Sequence, residues 1–328
     1  MANRNMITQL IFFTIGFILI LKGGDLFVNS STVIAFRLKV PRFIIGGTIV
    51  SLATTAPEFV VSATASYLGD SGIALGNALG SAIANIGLIV SITAILTPVS
   101  VELTPFKRRS IWMLITTIVV FIFAWNLEIS RWGGVFLVIS ALIYLLLNLI
   151  KARSERKKVT SAGEQIVPEM NVSITKATMH FLIGTVLVIT GSWLLVNAGT
   201  AIATALKIPS FIIGLTAVAV GTSLPELVTA ITSAKKQVTD LSISNIIGAN
   251  ILNLGLITGT AAIIRPLTLD LFTKYYAFAW VFIMIIGMML IFWNTGTMTK
   301  RSGIFMLSLY GVYILGLLIA SIVFPNIL

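Results

Sequence analysis

The chain has 328 residues, of which 57% are hydrophobic and only 10% charged, and its mean hydropathy is +1.03. A soluble domain carries about a quarter charged residues, so this composition excludes an ordinary soluble protein and indicates one embedded in a lipid bilayer. The net charge of +11 does not indicate a nucleic-acid partner, because the basic residues form short clusters at the ends of apolar runs. With no cysteine and a single histidine, His180, disulfides are excluded and a zinc or copper site is not expected.

The elements predicted in chain order are apolar helices, and the fold class is therefore an all-α polytopic membrane protein. The first apolar run, Met6 to Leu21, is followed by no small-residue cleavage pattern, so we expect a retained span rather than a signal peptide. Crossing about 30 Å of hydrocarbon takes roughly 20 helical residues. Ten transmembrane helices are predicted, near residues 6–34, 41–67, 72–98, 108–126, 132–150, 177–204, 209–233, 241–264, 275–296 and 302–325.

The basic residues predict how these helices are oriented. Sixteen of them fall in the odd-numbered connections and five in the even-numbered connections and termini. The positive-inside rule then places both termini outside an inner (plasma) membrane. The longest connection, residues 151–176, is predicted to be a cytoplasmic linker between residues 1–150 and residues 177–328.

An internal repeat relates the two parts of the chain. The segment from Pro41 to Glu58 aligns without gaps with the segment from Pro209 to Glu226, and ten positions are identical. Random apolar helices would share about one position in ten, so duplication is the better explanation. Each part holds five predicted helices, an odd number, and the second part therefore enters the membrane from the opposite side. Inverted repeats of this kind are typical of alternating-access transporters.

Glu58 and Glu226 occupy equivalent positions of the repeat, inside predicted helices. A charged carboxylate at the bilayer centre costs about 2.5–3.5 kcal/mol on insertion scales, so it requires a partner. Of the eleven acidic residues, only these two and Asp25 fall inside predicted helices, and the repeated segments contain no lysine or arginine near either glutamate. The sequence therefore predicts that the two carboxylates bind a cation or a proton.

Neutral oxygen atoms surround both glutamates in the sequence. Hydroxyl residues precede each one by a helical turn, on the same helix face, and a proline stands directly before each one. Such a proline frees a backbone carbonyl one turn earlier. Carboxylates with many hydroxyl, amide and carbonyl oxygens suit a hard cation, and two negative charges suit calcium, although several sodium ions could use the same oxygens. The residues concerned are Ser51, Thr54, Thr55, Pro57, Thr222, Ser223 and Pro225, with Asn77, Ser81, Asn85, Asn245, Asn250 and Asn253 on the next helices.

At these residues the sequence resembles the calcium/cation antiporter superfamily, and specifically its prokaryotic sodium/calcium exchangers. The segment Gly221–Glu226 resembles the second signature of that family, and Ala53–Glu58 a looser copy of the first. The resemblance implies that calcium is bound by Glu58 and Glu226 with help from Thr54 and Thr222. It also implies sodium ligands among Ser51, Thr55, Ser81, Ala219 (through its carbonyl) and Ser223.

The sequence departs from this family in the second repeat. The family commonly has a Gly-Ser-Asn-Ile-x-Asp run, whereas this chain has Ala249 in place of the serine and Asn253 in place of the aspartate. Asn253 can still donate and accept hydrogen bonds, as Asn85 does in the first half. A carboxylate and a hydroxyl are missing, so the sequence predicts calcium binding more firmly than it predicts the identity of the coupling ion.

Our hypothesis from the sequence is a secondary antiporter that exchanges calcium for sodium at one midplane site. Proton/calcium exchange is the alternative, because burial disfavours the charged form of a carboxylate. An enzyme is not expected, since the membrane segments lack paired aspartates and zinc-binding histidine pairs. We expect no cofactor, Ca²⁺ and Na⁺ (with H⁺ as the alternative) as transported ions, the lipid bilayer as the surroundings, and a monomer.

Overall fold

The structure is a computed structural model made almost entirely of helices. It describes residues 2–37, 51–160, 173–206, 208–235 and 239–323. Part of the second predicted helix, residues 41–50, therefore lies outside the described residues.

The described residues of the first half form seven α-helices, and a π-helical segment, Asn85–Val90, joins the fourth to the fifth. The third helix ends at Gly69, whose backbone adopts the left-handed conformation with φ of 87°, which glycine tolerates best. The helices are α1 (Ala2–Arg37), α2 (Ser51–Thr54), α3 (Ala56–Leu68), α4 (Ser71–Ala84), α5 (Ser91–Leu96), α6 (Leu103–Phe123) and α7 (Arg131–Thr160).

The second half repeats this pattern. Its described residues include π-helical segments at Gly214–Val218, Leu252–Ile257 and Thr273–Ala277. The helices are α8 (Ile174–Leu206), α9 (Ser210–Ile213), α10 (Ala219–Thr222), α11 (Leu224–Lys235), α12 (Thr239–Ile251), α13 (Thr258–Ile264), α14 (Phe278–Thr295) and α15 (Lys300–Val323).

Seven helical stretches in the described residues are long and apolar enough to span a membrane. An eighth is formed if the bent pair Ser210–Thr222 and Leu224–Ile231, which meet at 42°, counts as one span. The helix α6 does not belong to this set, and its first turns carry Lys107, Arg108 and Arg109. The seven stretches are Met6–Gly23, Ser71–Leu96, Arg131–Ile150, Ile174–Ile202, Ser242–Ile264, Thr273–Thr295 and Lys300–Ala320.

Two repeat-related stretches form the centre of the molecule. Within an 18-residue window of each stretch, 78% of the residues in Ser71–Leu96 and 83% of those in Ser242–Ile264 are buried, whereas only 17% of the residues in Met6–Gly23 are buried. The long helices α1 and α8 pack against each other at the periphery through Gly16 and Gly191. A Cβ on either glycine would lie 2.7 Å from the carbonyl oxygen of the other, so only glycine permits this close approach.

Packing between the halves follows the repeat. Gly134 of α7 packs on Gly259, Ala262 and Ile263, and Gly303 of α15 packs on the equivalent residues Ser91, Ala94 and Ile95. The last helix of each half therefore lies on the central stretch of the other half. The separation of Gly134 and Gly303 along the chain exceeds that of Glu58 and Glu226 by one position, so the second half has a single insertion before its last helix.

Short strands, which the all-α prediction did not include, join the connections of the described residues in pairs. Strand β1 (Val99–Ser100) pairs antiparallel with β4 (Thr297–Met298), and β2 (Glu128–Ile129) pairs with β3 (Leu267–Thr268). Each pair contains one strand from each half. The connections of each pair therefore lie at the same end of the molecule.

The structure shortens the predicted linker. Residues 151–176 were expected to be a loop, but α7 continues to Thr160 and α8 already begins at Ile174. Residues 151–160 form a polar helical extension because helix-forming lysines, arginines and a glutamate continue the last turn of the apolar helix. Residues 161–172 lie outside the described part of the chain.

Candidate cation site

Two broken helices bring Glu58 and Glu226 into the core. The first break is at Thr55, between α2 and α3, and the second is at Ser223, between α10 and α11. Both breaks precede a proline by two residues, Pro57 in one half and Pro225 in the other, and proline removes a backbone donor and crowds the preceding turn. Both halves therefore contain a helix break at the equivalent position, beside the proline that was expected to free a carbonyl.

Every residue predicted to contribute to the site lies in the interior. Both glutamates are 0% exposed, and the remaining predicted ligands are at most 3% exposed. They come from α2, α3, α4, α10, α11 and the π-helical segments that follow α4 and α12. The predicted set is Ser51, Thr54, Thr55, Glu58, Ser81, Asn85, Ala219, Thr222, Ser223, Glu226 and Asn253.

The carboxyl group of Glu58 is held by the other half of the chain. Ser223 Oγ donates to Glu58 Oε1 at 3.1 Å, and Asn77 Nδ2 donates to the Glu58 carbonyl oxygen at 3.1 Å. Asn77 is itself fixed, because Thr222 Oγ1 donates to its Oδ1 at 3.0 Å and its Nδ2 also donates to Ser62 at 2.9 Å. The first glutamate thus has a partial hydrogen-bond shell, with one bond to its carboxylate and one to its backbone carbonyl.

The carboxyl group of Glu226 lacks such a shell. Within the described residues, both of its oxygens are buried without a hydrogen-bond partner, as is Glu58 Oε2. The Thr54 hydroxyl lies near the Glu226 carboxylate, but its hydrogen bond goes to the Ser51 carbonyl. The two carboxylates interact electrostatically, and no lysine or arginine of the described chain acts on either of them. Buried anionic oxygens left in this way are strongly unfavourable unless a cation or protons neutralise them.

Several of the other predicted ligands join the halves around this pair by hydrogen bonds. Ser51 Oγ donates to the Asn245 carbonyl at 3.2 Å, and Ser81 Oγ donates to the Ala219 carbonyl at 3.4 Å. Thr54 and Thr55 both donate to the Ser51 carbonyl, at 3.4 and 2.7 Å. The hydroxyl of Thr55 is therefore committed to its own helix, as hydroxyl residues in membrane helices often are.

The two asparagines at the start of the π-helical segments differ. Asn85 Nδ2 donates to Asn250 Oδ1 at 2.9 Å, which leaves Asn85 Oδ1 buried without a partner among the described residues. Neither polar atom of the Asn253 side chain has a partner in that part of the chain. Asn253 can therefore contribute its carbonyl oxygen to an ion.

The donor set in this core consists of oxygen atoms. Among the described residues, no group of three or more histidine, cysteine, aspartate or glutamate side chains is present that could hold a metal. Two carboxylates with amide, hydroxyl and carbonyl oxygens match calcium and sodium better than a transition metal.

Three further asparagines that the sequence predicted beside the glutamates, Asn77, Asn245 and Asn250, also lie buried in the same core. Asn77 ties Glu58 to Thr222, Asn250 Nδ2 donates to the Ala82 carbonyl at 3.2 Å, and Asn245 Oδ1 is buried with no partner in the described ranges. The repeat carries Asn77 and Asn245 at equivalent positions, so the sequence contained the signal for both.

A sequence model of the family described as sodium/calcium exchanger protein matches residues 8–150 and 176–319. The chain belongs to this family. The resemblance seen in the two glutamate motifs is thereby confirmed, and the chain is a multi-span membrane antiporter of cations.

Relatives and solved structures agree with this assignment. Sodium/calcium exchanger MaX1 of Methanosarcina acetivorans is 30% identical, over 92% of this chain and 95% of the relative. Inner membrane protein YrbG of Escherichia coli is 32% identical, over 78% of this chain and 80% of the relative. A solved structure of the sodium-calcium exchanger NCX_Mj has a TM-score of 0.67 at 32% identity and covers 94% of this chain and 99% of that one. MaX1 and NCX_Mj are named as exchangers, not as enzymes.

Proposed function

We propose that the chain exchanges calcium for sodium across the membrane, with both ions competing for one site formed by Glu58 and Glu226. The observation that carries the proposal is the pair of fully buried carboxylates, of whose four oxygens three have no hydrogen-bond partner among the described residues. Two negative charges beside neutral oxygens suit one calcium ion or several sodium ions. MaX1 and NCX_Mj bear the name of sodium/calcium exchangers, which supports the same choice of ions.

We assign the ligands by their positions around this pair. Glu58, Glu226, Thr54 and Thr222 would bind calcium. Sodium would use both glutamates and further oxygens from Ser51, Thr55, Ser81, Asn85, Ala219, Ser223 and Asn253. Because the same carboxylates serve both ions, occupation by one excludes the other, and exchange requires the site to open to each side in turn.

The test is calcium uptake by proteoliposomes under an outward sodium gradient. Glu226→Gln is expected to lower the uptake rate at least about a hundredfold, because removing one partner of a buried ion pair costs ~3 kcal/mol or more. Glu128→Gln, which neutralises an exposed carboxylate in β2, is the matched control and should keep the wild-type rate. Undiminished uptake by the Glu226 variant would overturn the site.

The same vesicles distinguish the coupling ions. A sodium gradient at constant pH is expected to drive calcium uptake, and a pH gradient without sodium is not. The opposite result would assign proton coupling and would leave the calcium site in place.

We also propose that ten spans form two inverted five-helix repeats, with both termini outside. The last helix of each half packs, through Gly134 or Gly303, on the central stretch of the other half. This supports the arrangement, because repeat-equivalent residues make the two contacts. The strand pairs support it too, since β1 and β4 follow odd-numbered spans and β2 and β3 follow even-numbered ones, as the predicted topology requires.

The topology can be tested directly because the chain has no cysteine. Ser100 and Thr268 are repeat equivalents and both are exposed. A membrane-impermeant maleimide is expected to label Ser100→Cys only from the cytoplasmic side and Thr268→Cys only from the outside. Labelling of both from one side would refute the inverted arrangement.

A further inference from the structure

The helix that leads into the second glutamate contains a π-helical segment whose geometry leaves one carbonyl without its usual partner. At the end of Gly214–Val218 the N–H of Ala219 bonds to the carbonyls of Gly214 and Thr216. In a regular α-helix the same N–H would bond to the carbonyl of Leu215, four residues earlier. Leu215 is only 1% exposed, and a buried carbonyl without a partner is unfavourable.

A tyrosine from the last helix supplies the missing donor. Tyr313 Oη, on α15, donates to the Leu215 carbonyl oxygen at 3.3 Å, and Tyr313 is completely buried. Room for this carbonyl is left on the other side by Gly80, where a Cβ would lie 2.6 Å from the Leu215 oxygen. The carbonyl is therefore enclosed between a glycine and a hydroxyl donor.

The ring of Tyr313 is held in place independently of this bond. It stacks on Tyr276 with centroids 6.0 Å apart and lies edge-on to Trp280 at 5.8 Å. Tyr276 Oη donates to the Tyr313 carbonyl at 2.6 Å. Since the ring cannot easily move away, its hydroxyl is a fixed donor aimed at the bulged helix.

The position of the bulge connects it to the ion site. Ala219, Thr222 and Ser223 follow within one to two turns. A π-bulge inserts one residue, so its conversion to regular α-helix would rotate those that follow by about 100°. The carbonyl of Ala219 and the hydroxyl of Ser223 would then point elsewhere.

We propose that Tyr313 is a positioning residue for ion binding, which stabilises the π-bulge at Leu215 and so keeps the second half's ligands aimed at the site. This inference rests on the proposed function for its ion, but the bulge itself can be measured without any ion. The hydroxyl bonds to a backbone carbonyl and is not itself a ligand.

The other half supplies a matched control. Tyr144 on α7 is the equivalent of Tyr313 at the spacing that relates Gly134 to Gly303, and it likewise packs near a tryptophan, Trp112, at 6.1 Å. Its buried hydroxyl has no hydrogen-bond partner in the described residues. Tyr144→Phe removes the same group without removing a bond to the bulge.

The experiment is amide hydrogen exchange on the full-length chain in detergent, followed by calcium uptake. In Tyr313→Phe we expect exchange in residues 214–219 to rise about fivefold, as fits the loss of one buried hydrogen bond. The apparent calcium affinity should fall, by up to about the same factor. Tyr144→Phe should change neither quantity.

Equal exchange in wild type and Tyr313→Phe, or an equal rise in Tyr144→Phe, would overturn the proposal. So would faster exchange with unchanged calcium affinity, because a merely structural role predicts that result. If Tyr313→Phe does not fold, Gly80→Ala presses on the same carbonyl and should raise exchange in the same residues; no rise would count against the proposal. If the wild-type chain transports no calcium, the proposed function is refuted. The amide hydrogen-exchange result would still show whether Tyr313 stabilises the π-bulge.

Discussion

The two repeats carry the same motif but satisfy it differently. In the first half the Asn77 side chain donates through Nδ2 and accepts through Oδ1, and Glu58 accepts a hydrogen bond from Ser223. In the second half Asn245 Oδ1 and both carboxylate oxygens of Glu226 are buried without partners in the described structure. One cause is the direction of equivalent hydroxyls, since Thr222 Oγ1 donates to Asn77 Oδ1, whereas the hydroxyl of its repeat equivalent Thr54 donates to the Ser51 carbonyl. The comparison teaches that packing of the two halves engages Asn77 and Glu58 in hydrogen bonds, whereas Asn245 Oδ1 and the Glu226 carboxylate remain without them in the described residues.

The largest difference is expected between the two asparagines. Asn77→Ala removes three hydrogen bonds of about 1 kcal/mol each, so the free energy of unfolding should fall by roughly 2–3 kcal/mol. Asn245→Ala should cost less than about 1 kcal/mol of stability, because its Oδ1 has no described partner to lose, but it should weaken calcium binding. Thermal unfolding in calcium-free detergent and calcium titration measure both. Equal destabilisation by the two substitutions would break the comparison.

A smaller difference is expected between Ser223 and its repeat equivalent Thr55. Ser223→Ala removes the donor to Glu58, and hydrogen bonds to charged groups are worth about 1.5–3 kcal/mol, so calcium affinity should fall roughly tenfold or more. Thr55→Val removes a hydroxyl that bonds its own helix at the Ser51 carbonyl and should change affinity less than about twofold. Uptake rates measured over a range of calcium concentrations give the apparent calcium affinity of each variant. A larger loss in the Thr55 variant would show that the Thr55 hydroxyl binds calcium and is not committed to the Ser51 carbonyl.

The smallest difference concerns packing between the halves. A Cβ at Gly134 would lie 2.6 Å from the Gly259 carbonyl oxygen, and one at Gly303 would lie 2.9 Å from the Ser91 carbonyl oxygen. Overpacking costs about 1–3 kcal/mol, so Gly134→Ala and Gly303→Ala should both lower the melting temperature, the first slightly more. Gly311→Ala, which meets nothing within 4 Å, is the control and should be neutral. An unchanged melting temperature in both variants would mean that these contacts do not hold the halves together.

The sequence predicted the parts of the site that depend on local chemistry. Composition and apolar run length indicated a membrane protein, and the repeat placed Glu58 and Glu226 in equivalent helices. The prolines predicted a local disturbance of the backbone hydrogen bonds, because the missing donor of Pro57 and Pro225 acts within one turn, and both helices are broken there. The family assignment followed from the same residues and is confirmed by the match to the family model.

Other features depended on contacts between segments far apart in the chain. The bond from Ser223 to Glu58 spans 165 residues, and no local pattern predicts which of two equivalent hydroxyls will make it. The π-bulge at Leu215 and its partner Tyr313 are 98 residues apart, and a tyrosine in an apolar helix gives no signal of that role. The exchanged last helices and the short strand pairs likewise arise only when the halves are packed together.

The sequence by itself therefore determined that the protein lies in a lipid bilayer, that its two halves are repeats, and that Glu58 and Glu226 are equivalent acidic residues within the predicted helices. Each of these follows from composition or from spacing along the chain. Tertiary structure decided how the duplicated motif is used. The equivalent hydroxyls of Thr222 and Thr54 donate to different acceptors once the halves are packed together, and burial makes every unmatched oxygen costly. That asymmetry, which the motif itself does not show, leaves both carboxylate oxygens of Glu226 without a hydrogen-bond partner in the described residues, as the proposed ion site requires.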